Sequence, residues 1–150
     1  MAPRVNMLKE LLERGYGKDQ DLCCSEKILY GANEVYNLEL GPEALKVSAG
    51  FCGGMYVGSV CGVVTASQMV LGRLFVTRNA HGSPRIRALS MEFFRRFHEA
   101  FDALDCSVLK PQYREQNTCS PLLLKAAEIL DDMIQREQKT NAPLAPRRDP

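Results

Sequence analysis

Six cysteines, Cys23, Cys24, Cys52, Cys61, Cys106 and Cys119, give this 150-residue chain its chemistry. A thiolate attacks disulfides and binds soft metals, so their placement decides what they can do. No C-x-x-C is present, which excludes a thioredoxin-type active site and a zinc ribbon, and no C-x-x-C-H attaches a haem. The glycine run at residues 50–58 lacks GK[ST] and follows no strand, so it is neither a Walker loop nor a dinucleotide fingerprint. Three readings remain. Separated thiols can converge on Zn²⁺ or an iron–sulfur cluster, since four cysteines suit both. They can cycle as dithiol and disulfide pairs. They can also be core residues, because cysteine is among the most buried types.

Cys24, Cys61, Cys106 and Cys119 each fall at or beside the first turn of a predicted helix, or in the loop before one. A helix N-terminus favours the negative thiolate over the thiol. These four are the candidate catalytic and metal-ligating set. Cys52, with Gly53 and Gly54 beside it, is the candidate cofactor-binding segment and could reach the same centre as Cys61. Cys23 points about a third of a turn away from Cys24 and reads as incidental rather than as a second ligand or a resolving thiol. His81 and His98 read as exposed histidines rather than ligands.

The elements that must aim these thiols are helical. Residues 5–14 form a short amphipathic helix ended by Gly15 or Gly17. Asp19 or Asp21 caps a second helix reaching about Asn37, with Cys24, Ile28, Ala32 and Val35 inward. Gly41-Pro42 opens a third, short one. Gly50, Gly53, Gly54 and Gly58 mark tight backbone, and a central helix follows over 60–76, apolar or small on every side. Ser83-Pro84 starts a helix over 84–104 with a phenylalanine stripe; a polar connection containing Pro111 leads to the last helix at Ser120-Pro121. The expected fold is all-α: a single five- or six-helix bundle around the buried central helix, with Met69, Leu71, Phe93, Phe97 and Leu123 in its core. Residues 1–137 form the domain and 138–150 a flexible tail.

Composition agrees with one globular domain, with 45% hydrophobic and 25% charged residues. A net charge of +1 gives no pull toward nucleic acid. Residues 50–72 are apolar enough to raise a transmembrane question, but glycines and Ser59, Thr65, Ser67 and Gln68 favour a buried helix and no membrane contact. The charged amphipathic start is not a signal peptide, so a cytoplasmic, reducing setting is expected. An apolar, glycine-lined central segment with an acidic first third and an arginine-rich middle suggests a homodimer, and the redox reading calls for an electron-transfer partner. The rival reading is a non-catalytic interaction module whose basic face (Arg85, Arg87, Arg95, Arg96) binds a partner.

The order Cys24-Ser25, Gly50-Phe51-Cys52-Gly53-Gly54-Met55, Cys61-Gly62, Cys106 and Cys119, the last followed by Ala126-Ala127-Glu128-Ile129-Leu130, resembles the C_GCAxxG_C_C family, to which redox activity is ascribed. The resemblance spans about residues 20–130. It implies a helical redox-active protein similar to a domain of split-Soret cytochrome c, where haem and iron–sulfur chemistry occur. The named CGAxxG element is CGVVTA here, with Val63 and Ala66 in place of its small residues, and Cys52 stands where glycine is usual.

Overall fold

The computed structural model describes residues 7–113 and 120–140. Seven α-helices are present among them: α1 (Leu8–Glu13), α2 (Cys24–Val35), α3 (Pro42–Leu45), α4 (Gly62–Phe75), α5 (Arg85–Phe101), α6 (Cys106–Tyr113) and α7 (Ser120–Thr140). Their only extended pairing is one antiparallel bridge, Val60 with Asp105. The all-α expectation therefore holds at the level of class. No helix among the described residues is long and apolar enough to cross a membrane.

The central helix is where the sequence places it. Val63, Val64, Ala66, Ser67, Val70 and Leu71 of α4 are all buried, and the helix packs against α2, α5 and α7. Leu71, Phe93, Phe97 and Leu123 are in the core as expected, while Met69 is half-buried at its margin. Phe97 lies between Phe93 and Phe101, with ring centroids 6.2 and 4.9 Å away, within the range of favourable aromatic pairs.

Two helix starts differ from expectation. α2 begins at Cys24 rather than after Asp19 or Asp21, and Asp21 takes a left-handed φ of 54° within the preceding turns. Cys23 is its N-cap, and its N–H donates to Glu26 Oε1 at 3.0 Å, satisfying one of the donors a helix start exposes. The polar connection after Asp105 is partly helical. α6 forms despite Pro111 in its interior, because Leu109 is fully buried and the helix packs against the turn at residues 54–58.

α1 has six residues and no side-chain cap of its own, too short to stand alone. Its cap comes from α7: the Asp131 carboxylate accepts the N–H groups of Leu8 (2.9 Å) and Lys9 (3.0 Å). Tyr36 donates its hydroxyl to the same carboxylate. Burial, with that carboxylate second, holds the Tyr36 phenol protonated well above its ordinary range.

α5 and α7 are joined by a chain of ions. Arg85 grips Glu137 through two contacts of 2.7 Å, and Arg136 bridges Glu137 and Glu92. Arg96 reaches Glu92 at 3.2 Å and Asp132 at 2.9 Å. Glu137 is buried. Gln138, Lys139 and Thr140, expected in the tail, belong to α7; residues 141–150 lie outside those described.

Candidate functional site

The cysteine end of the molecule is assembled by close backbone approaches. Gly62, the first residue of α4, has no room for a side chain. A Cβ there would lie 2.8 Å from the Phe51 carbonyl oxygen and 3.2 Å from Ser25 Cβ. One glycine thus brings Cys61-Gly62 against Cys24-Ser25 and Phe51-Cys52. Gly58 does the same for α6, since a Cβ on it would come within 3.0 Å of Ser107 Cβ. The bridge completes the arrangement: Cys61 N–H donates to the Leu104 carbonyl at 2.8 Å, and Cys106 N–H to the Ser59 carbonyl at 2.7 Å. Cys61 and Cys106 are thus the residues that directly follow the two bridged positions, Val60 and Asp105.

Each of these cysteines stands at a helix start. Cys24 is the first residue of α2, Cys61 is the N-cap of α4, and Cys106 is the first residue of α6. Unsatisfied N–H groups and the positive end of the macrodipole favour thiolate there. Cys61 is buried, and Cys24 and Cys106 are half-buried. Cys119 lies outside the described residues.

The glycine loop is left-handed over four successive residues, Gly53, Gly54, Met55 and Tyr56, with φ between 58° and 63°. Glycine accepts this conformation without strain, whereas Met55 and Tyr56 are each strained by about 1–2 kcal/mol. Gly58 is also at positive φ, but Gly50 is not, so the expected tight backbone falls on three of the four glycines named.

The other two cysteines are joined. Cys23 and Cys52 form a disulfide with a Cα separation of 6.1 Å, linking the start of α2 to the glycine loop. Cys23 is therefore not incidental, and the Cys52 sulfur is bonded to Cys23. Sequence reasoning missed this pairing because it joins two elements 29 residues apart. The one available signal was that Cys52 interrupts a glycine run. Ser25, fully buried, sits against the disulfide: its Oγ lies 3.3 Å from Cys23 Sγ and 3.9 Å from Cys52 Sγ, and donates to the Ser48 carbonyl at 2.8 Å. Cys23 Sγ, Cys52 Sγ and a Glu26 carboxylate oxygen lie within 4.8 Å of one another.

Elsewhere the sequence candidates are less engaged. His81 and His98 are exposed. Of the proposed basic face, Arg85, Arg95 and Arg96 are in ion pairs within the chain, which leaves them less available to a partner.

No curated protein and no solved structure matches the chain. A family model described as "Putative redox-active protein (C_GCAxxG_C_C)" matches residues 22–133. That stretch holds all six cysteines, the glycine loop and the buried α4, and it is well over half of the chain, which belongs to the C_GCAxxG_C_C family.

Proposed function

We propose that this protein is a cysteine-based redox protein whose working set is Cys24, Cys61, Cys106 and Cys119. One observation carries the reading: three of the four stand at the starts of helices that Gly58, Gly62 and the Val60–Asp105 bridge draw to one end of the molecule. Helix starts favour thiolate, the form that gives up electrons to a disulfide or donates to a metal. In the dithiol form of the chemistry, two of these thiols lose two electrons and two protons to an acceptor disulfide and become bonded to each other.

Metal binding is the second reading, favoured by the donor set. Four thiolates suit zinc and iron–sulfur clusters equally, and the same four residues would hold either. A cytoplasmic setting, self-association as a homodimer and an electron-transfer partner belong to the same proposal. Anaerobic purification with metal analysis, a visible absorption spectrum and thiol titration of the native protein tests it. Bound metal, or thiols that react below the ordinary thiol pKa near 8.5, is the expected result. Metal-free cysteines that stay inert across neutral pH would instead support the interaction module.

A further inference from the structure

Cys23 and Cys52 stand outside the four-cysteine pattern of the family, yet they sit beside a carboxylate in a pinned setting. We propose that Cys23, Cys52 and Glu26 form a redox-gated site for a thiophilic divalent cation such as Zn²⁺, closed when the two sulfurs are bonded and open when they are reduced.

The donor set comes first. Two thiolates and a carboxylate are Zn²⁺ ligands, and their softness excludes Mg²⁺ and Ca²⁺. All three donor atoms already lie within 4.8 Å of one another. Zn–S bonds of about 2.3 Å at a tetrahedral angle set two sulfurs roughly 3.8 Å apart. The sulfurs must therefore separate by about 2 Å from bonding distance, which side-chain rotation supplies when the Cα atoms stand 6.1 Å apart.

The backbone is held independently of the disulfide. Ser25 Oγ ties the start of α2 to the Ser48 carbonyl, in the segment that leads into Cys52. Glu26 is oriented by the Cys23 N–H at 3.0 Å. Reduction therefore leaves two thiols facing each other and a fixed carboxylate, a preorganised set of three ligands.

The chemistry balances with an external dithiol as the reductant. A thiolate of the dithiol attacks one sulfur of Cys23–Cys52, breaking that bond and forming a mixed disulfide, and the second thiol resolves it. The dithiol is oxidised to its own disulfide, and Cys23 and Cys52 gain two electrons and two protons. Zn²⁺ then displaces those two protons.

Co²⁺ is the probe, because thiolate ligation gives it a near-ultraviolet charge-transfer band. Protein reduced with a dithiol and freed of it anaerobically is titrated as wild type, Cys52→Ser and Glu26→Gln, with circular dichroism confirming the fold. The expected result is one equivalent fewer in Cys52→Ser, and at least roughly tenfold weaker binding of that equivalent in Glu26→Gln. Identical stoichiometry and affinity in all three overturns the proposal. Should Cys52→Ser fail to fold, Glu26→Gln decides alone, since it keeps every sulfur: weakened binding supports the site and unchanged binding refutes it. A parallel Cys61→Ser titration reads the family set; loss there with this equivalent intact separates the two centres.

Discussion

Two regions of this molecule are built on opposite principles. The cysteine end, where α2, α4 and α6 begin, is held by close backbone approaches and one covalent link: a glycine against a carbonyl, a single bridge, a loop left-handed over four residues, and the Cys23–Cys52 disulfide. The α5–α7 side is held by side chains, a phenylalanine stack below and a chain of arginines and glutamates above. The first arrangement stores strain at Met55 and Tyr56 and keeps sulfur near helix starts. The second buries Phe93, Phe97 and Glu137 and has no cysteine in its two helices. Mutations should therefore act differently on the two regions.

The largest effect belongs to the α5–α7 side. Phe97→Ala should remove about 3–5 kcal/mol, a large share of a domain's whole stability, read as a drop in the urea midpoint. At urea concentrations where the variant is still folded, its thiols should keep the wild-type reactivity. Altered thiol rates in the folded variant would show that the two regions are coupled.

Gly62→Ala tests the other side. The new methyl meets the Phe51 carbonyl, whose backbone must shift, at about 1–3 kcal/mol; the better helical preference of alanine returns up to about 1. A net loss of about 1–2 kcal/mol is expected, with changed alkylation rates at Cys24 and Cys61. A variant with that stability loss but unchanged rates would mean the close approach serves packing alone.

The smallest effect depends on pH. Glu137 is held below the ordinary carboxylate range chiefly by its hydrogen bond from Arg85, and Glu92 by that from Arg136. A depressed folded pKa contributes stability that is complete above the unfolded value near 4.5 and is lost as pH falls through the folded values. Glu137→Gln should cost about 1–2 kcal/mol at pH 7, discounted because Arg85 is half exposed, and should flatten the acid limb of the stability profile. An acid limb as steep as wild type would remove Glu137 from the account.

The helical class, the buried α4 and the phenylalanine stripe were legible because each repeats with helical period over three or more turns. Cys24 and Cys61 were legible as residues of a first helical turn from their neighbours alone, whereas Cys106 fell in what reads as a polar connection. α6 was not, because Pro111 and a polar composition argue against a helix, and what sustains it is a contact with the loop at residues 54–58. Nor was the Cys23–Cys52 bond, since adjacent cysteines offer no sign of which one a distant partner will meet. The paired state of Arg85 and Arg96 depends on residues of α7 that sequence distance conceals.

Asp131 has a consequence for the order in which the chain is made. It caps α1 across 123 positions of sequence. At synthesis rates of roughly 5–20 residues per second, α1 leaves the ribosome on the order of 6–25 s before the residue that secures it. α1 is thus made well before it can be fastened. A nascent chain arrested before Asp131 presents the unfastened apolar face of Leu8, Leu11 and Leu12 to the cell.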